Sequence, residues 1–146
     1  MNQTPYYLIK ENDLQYDIDL LKNALRDNWG NYICGYSVKT NSLPWLLTHL
    51  KKQDFYAEVV SEVEYDLVKR LGFTSNQIIY NGPIKDKKTF EEVLFAGGYV
   101  NLDSSDELIW LEEIDKTTNQ KLNVGVRINV DLTELIPEDS HAGSNG

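Results

Sequence analysis

Cysteine and positive charge are scarce in this chain. Cys34 is the single cysteine among 146 residues, so no intramolecular disulfide can form. It lies in an apolar run, where packing is expected of it rather than nucleophilic chemistry, and a chain without disulfides fits a reducing, cytoplasmic compartment. Lys and Arg number 14 against 23 Asp and Glu, a net charge of −9. No basic patch stands out, which argues against a nucleic-acid partner. No apolar run is long enough to span a membrane, and no signal peptide is read at the start. No Gly-rich phosphate loop follows the first strand-like run, which weighs against a nucleotide-binding open sheet. No metal-ligand set is expected.

What is present is ordinary in composition, 41% hydrophobic and 25% charged, and the length suits one domain with a proper core. The order is in the periodicity. Residues 4–9 read as a short strand. From 13 to 26, Leu14, Ile18, Leu21 and Leu25 are spaced as one face of a helix. A strand follows from about Tyr32, and then a helix that Asn41 or Ser42 can cap, with Pro44 in its first turn and Leu43, Leu46, Leu47 and Leu50 on its buried face. Strand 55–60 leads to Ser61 and Glu64, spaced as a capping box, and to a helix burying Val63, Leu67, Val68 and Leu71. Strand 77–80 is broken by Asn-Gly-Pro, residues 81–83. A helix with Phe90, Val93 and Leu94 closes at Gly97 and Gly98. Strand 99–102 precedes a second box, Ser104 with Glu107, and a helix carrying Leu108, Leu111 and Ile114. Residues 124–130 alternate, with Val124, Val126, Ile128 and Val130 expected under helices and Arg127 and Asn129 on the other face.

Strand starts thus fall near residues 32, 56, 77, 99 and 123, a strand–helix unit recurring every 21 to 24 residues. That is the mark of an α/β fold with a parallel sheet. A doubly wound five-stranded sheet fits it. So do the first five units of a (β/α)8 barrel, which as a whole needs about 250 residues.

In either fold the carboxyl ends of the strands carry the chemistry. Polar residues gather there: Lys39 and Asn41, Ser61, Asn81, Asp103, then Arg127 and Asn129. For Ser61, Asp103 and Ser104 the bland alternative is that each simply caps the next helix. Lys39 closes an apolar run, and a lysine is rarely buried without a partner. Partial desolvation there would disfavour the ammonium form, and a neutral amine can form a Schiff base with an aldehyde. The bland alternative is a strand-end charge with its tip in water. Arg127, if it points into a barrel, needs an anionic partner or an open mouth.

Five stretches, taken in order and spacing, resemble the amino-terminal barrel of the pyridoxal-phosphate-dependent decarboxylases of fold type III. These are YSVKTN (36–41), AEVVSEVEY (57–65), IIYNGP (78–83), VNLDSSDEL (100–108) and VRIN (126–129). The likeness spans residues 4–129 and is nearer to the diaminopimelate branch than to the ornithine branch. It implies that Lys39 binds pyridoxal 5'-phosphate through an imine. Glu58 stands where the family usually has aspartate, Glu64 resembles its second carboxylate, and Arg127 its cofactor-side arginine on strand five. The resemblance further implies three more barrel strands, with a stacking histidine and a phosphate loop, and a carboxyl-terminal β domain completing the site across a homodimer. The chain is therefore expected to be the amino-terminal part, residues 1–146, of a longer enzyme and inactive alone, with His141 a loop residue and His49 a surface or partly packed one. The function implied is decarboxylation of a small amino acid. A non-catalytic binding or association module, and an amino-acid racemase of the same fold type, are the alternatives.

Overall fold

The computed structural model describes residues 7–128. The chain divides into two compact units, residues 1–34 and 35–146. In the first unit, α1 (Glu11–Asn28) is the helix expected over 13–26, longer by two residues at each end. Ile18 is its buried residue. Tyr32 donates from its hydroxyl to the Lys22 carbonyl, tying the segment after the helix back onto it. The strand expected at residues 4–9 is not found in its described part, since residues 7–9 are irregular and exposed.

The second unit holds the repeat: β1 (Gly35–Ser37), α2 (Pro44–Lys52), β2 (Tyr56–Val59), α3 (Glu62–Arg70), β3 (Ile78–Tyr80), α4 (Lys87–Phe95), β4 (Tyr99–Leu102), α5 (Ser105–Asp115) and β5 (Asn123–Val126). All neighbouring strands are parallel, and the sheet order is β1-β2-β3-β4-β5. This order decides between the two architectures. A doubly wound sheet reverses direction at a switch point and puts helices on both faces. Here each strand lies beside the next, and right-handed crossovers then carry every helix to the same side. That is the winding of a (β/α)8 barrel, seen over its first five units.

One face of the sheet packs under the helices. Ala57 and Val59 of β2, Ile78 and Tyr80 of β3, and Val100 and Leu102 of β4 are buried there with Leu47, Val68, Phe90, Val93, Leu94 and Ile114. The other face, with Tyr56, Glu58, Ile79, Tyr99 and Asn101, is half-buried. Val124 and Val126 pair with Val100 and Leu102 and share their face, as alternation requires. Burial under helices is not met, however: Val124, Val126 and Ile128 are exposed, because no described helix covers β5. Leu43, Val63 and Leu108 are also exposed. In α3 the buried pair is Tyr65 and Val68, one turn apart. Val63, five residues before Val68 and so about 140° round the helix, faces away from that stripe.

Candidate functional site

The first strand is shorter than its apolar run suggests. β1 ends at Ser37, and Lys39 sits in a 3-10 turn, Val38–Thr40, rather than on the strand. Val38 plugs this turn into the core with no exposed surface. Thr40 Oγ1 donates to the Ser37 carbonyl at 2.7 Å, Tyr36 donates from its hydroxyl to the Asn41 carbonyl at 3.2 Å, and Asn41 Oδ1 accepts from the Leu43 N–H at 3.1 Å. YSVKTN is thus a self-braced turn that starts α2 without a side-chain cap at Leu43. The Lys39 side chain is exposed, not desolvated as a strand-end burial would make it.

Glu58 ends the half-buried face of β2, in register with Ser37 on one side and Ile79 on the other. Its Oε1 accepts from Asn81 Nδ2 at 3.1 Å. Asn81 is held in turn by its backbone N–H, which donates to Val59. The residue after it has to be glycine: Gly82 has φ +93°, and a Cβ there would lie 2.8 Å from the Val60 carbonyl oxygen.

Arg127 follows β5, and its backbone N–H donates to Leu102. Nη1 donates to Asp103 Oδ1 at 3.3 Å. Asp103 therefore supplies the anionic partner an inward arginine requires, and Glu58 does not. No described hydrogen bond or ion pair joins Lys39, Glu58 and Arg127 to one another. Asn129 and His141 lie outside the described residues. His49 stacks on Trp45, with ring centroids 5.4 Å apart.

Of the two expected capping boxes only the serine half of each forms, and the glutamate side chain reaches one residue further back. Ser61 accepts from the Glu64 N–H, but Glu64 Oε2 accepts from Val60 at 2.8 Å rather than from Ser61. Ser104 and Glu107 repeat this, with Glu107 Oε2 accepting from Asp103 at 2.8 Å. Glu64 is thus a structural latch between β2 and α3. Glu107 is more than a cap. It is buried, and both its oxygens accept from Lys85 Nζ at 3.0 Å.

Lys85 was not legible in the sequence. It lies in an irregular loop, where no periodicity flags burial, yet its side chain is fully enclosed. The Tyr80 ring lies 6.0 Å from its ammonium group, and burial pushes the Tyr80 hydroxyl above its ordinary range. The strand-end rim thus carries an exposed amine, a carboxylate fixed by an amide, and an arginine fixed by a buried acid. Such a rim can present cations to an anionic ligand and an amine to a carbonyl.

Comparison with known proteins gives this rim a family. The model of the pyridoxal-dependent decarboxylases, pyridoxal binding domain, matches residues 15–143. The chain belongs to this family. Among curated relatives, a diaminopimelate decarboxylase from Archaeoglobus fulgidus is 29% identical over 88% of the chain and 30% of that protein. A decarboxylase of an L-glutamyl acyl-carrier protein from Niallia circulans is 31% identical over 88% of the chain and 30% of that protein. The solved diaminopimelate decarboxylase from Helicobacter pylori, complexed with L-lysine, superposes with a TM-score of 0.69 at 25% identity, covering 88% of the chain and 32% of that structure. The M. jannaschii enzyme with L-lysine gives 0.66 at 27% identity, over 82% and 28%. The chain therefore spans about 30% of the length of the relatives it matches. The five-unit winding is the amino-terminal part of the decarboxylase barrel, and the family's cofactor is pyridoxal phosphate. No helix among the described residues is long and apolar enough to cross a membrane.

Proposed function

We propose that residues 1–146 are the cofactor-anchoring, amino-terminal part of a pyridoxal-phosphate-binding barrel in an amino-acid decarboxylase of the diaminopimelate type. The observation that carries this reading is the match to the pyridoxal binding domain over residues 15–143, within which Lys39 stands on a braced turn directly after the first strand. The residues present fit the cofactor chemically. Lys39 offers the amine its aldehyde needs, and Lys39 and Arg127 supply positive charge to an anionic group.

When bound, pyridoxal phosphate takes up the electrons released as the substrate carboxylate departs as carbon dioxide. The chain's own residues do the holding. Val38 anchors the lysine turn in the core, so the Lys39 amine leaves from a fixed base. Asn81 keeps one Glu58 oxygen engaged and so orients that carboxylate along the rim. Arg127, tied to Asp103, holds a cation at the end of β5. A small amino acid is the substrate class, as the L-lysine in the H. pylori structure suggests by kinship. A homodimer in the cytoplasm is proposed with it; the free, buried Cys34 fits a reducing compartment.

The test is direct. Pyridoxal phosphate added to the protein should produce a visible imine absorbance band, and borohydride should fix the adduct on the peptide containing Lys39. Lys39→Ala should lose the band, and Lys39→Arg should lose it too, because a guanidinium stays protonated. An adduct fixed on another lysine, or an undiminished imine band in Lys39→Ala, would sink the assignment.

A further inference from the structure

The best-buried cation in the described structure has no role in the reading above. Lys85 lies between β3 and α4, and its ammonium protons are all engaged. One goes to the Gly82 carbonyl, and the other two to Glu107 Oε1 and Oε2, each at 3.0 Å. Glu107 also accepts the backbone N–H of Asp103. The Asp103 carboxylate is 7% exposed. Its Oδ2 stands 3.8 Å from Lys85 Nζ, close enough for charge attraction and too far for a hydrogen bond, and it accepts none. Its Oδ1 takes the Arg127 guanidinium. Two cations and two carboxylates thus form one neutral chain, running from the loop after β3 to the end of β5.

Arg127 is the weak link. Its side chain is 46% exposed, and its bond to Asp103 is long at 3.3 Å. A half-exposed pair of this kind holds little by itself. It holds here only if Asp103 is kept in place, and a buried carboxylate beside another carboxylate needs a counter-charge. Lys85 supplies it. We infer that Lys85 is a positioning residue, which through Glu107 and Asp103 fixes where the Arg127 guanidinium stands on the rim.

The consequence for cofactor binding rests on the proposed role of Arg127, whereas the geometry does not, so two readouts keep them apart. The first uses the protein without cofactor. The side-chain 15N signal of Arg127, assigned by its loss in Arg127→Leu, should shift in Lys85→Met towards its position in Asp103→Asn. An unmoved signal overturns the inference. Where Lys85→Met does not fold, Glu107→Gln carries the same expectation and the same refutation.

The second readout is titration with pyridoxal phosphate. Lys85→Met should weaken binding roughly tenfold, the scale of one charge-assisted contact. In an Arg127→Leu background the same change should matter by less than about twofold. Lys85→Met combined with Glu107→Gln removes both halves of the buried pair and should recover affinity. A lysine that only stabilises the fold would lower the melting temperature and leave this pattern absent, which also overturns the inference. If Arg127→Leu alone leaves affinity unchanged, the cofactor role of Arg127 fails, and the 15N shift still decides whether Lys85 holds it.

Discussion

Asn81 donates its side-chain amide to Glu58 across 3.1 Å, joining the end of β3 to the end of β2. The same loop, four residues on, sends Lys85 to Glu107 at the start of α5. One connection therefore steadies acidic groups on both sides of it.

Replacing Asn81 should separate function from stability. Asn81→Ala keeps the backbone bond to Val59 and loses one part-buried hydrogen bond, about 1 kcal/mol. Asn81→Asp faces Glu58 with a like charge and should bind pyridoxal phosphate more weakly than the alanine variant. Equal affinities in the two variants, by absorbance titration, would remove Glu58 from the site.

Gly82 and Gly97 offer a controlled comparison. Both have positive φ, +93° and +85°, but only Gly82 has backbone within reach of an added Cβ. Gly97→Ala should cost about 1 kcal/mol from conformation alone. Gly82→Ala adds the clash with Val60 and should cost more, roughly 1–3 kcal/mol beyond that. Chemical denaturation of the two variants checks the order.

Asp86 caps α4, accepting from the Thr89 N–H at 2.8 Å and from the Thr89 hydroxyl at 2.9 Å. The backbone bond, first, and the hydroxyl bond hold its carboxyl below the ordinary range. A depressed carboxyl stabilises the fold above its unfolded value, near about pH 4, and loses that contribution as pH falls through its folded value. Asp86→Ala should cost about 1 kcal/mol at neutral pH. The gap to wild type should close in acid, as urea melts across pH would record.

At alkaline pH the sign reverses. Burial, and then the neighbouring Glu92, push the Tyr65 hydroxyl from 10.0 up to about 12. The folded state holds that proton longer than the unfolded one, so stability is intact below pH 10 and is lost between about 10 and 12. Tyr65→Phe should flatten this decline. A decline as steep in the variant would assign it elsewhere, with Tyr80 the next candidate.

The outer strands give a prediction about assembly. β1 and β5 each have one strand neighbour in the described sheet, and Val126 and Ile128 are 71% and 77% exposed. Open strand edges and uncovered apolar side chains favour association. Residues 1–146 alone should therefore run larger than a monomer in size-exclusion chromatography with light scattering. A monomer with a sharp cooperative melt would count against an incomplete barrel.

The repeat was legible because each unit announces itself twice, by an apolar strand and by a helix with cap and spacing. Within a unit, the sequence resolves less. The apolar run from about Tyr32 reads as one strand, but Ile33 is exposed and only Gly35–Ser37 pairs with β2. Periodicity marks apolar faces and cannot say where pairing stops. Glu107 read as a cap because its spacing from Ser104 is local; its second task, holding Lys85 from 22 residues away, is not. Arg127 was recognisable as a residue in need of an anion. Which anion answers it depends on the stagger of β4 and β5, which no local pattern encodes.

The early-closing latches of Glu64 and Glu107 have a mechanical consequence. Each ties the first turn of its helix to the residue just past the preceding strand, across a joint of two residues. Such corners cannot act as hinges. The passages after β1 and β3 are longer, six residues each, and in the second, between Tyr80 and Lys87, Ile84 stands out in solvent while Lys85 is pinned by Glu107. If the rim adjusts to an incoming molecule, those passages are where it bends, with Lys85 as the pivot of the second.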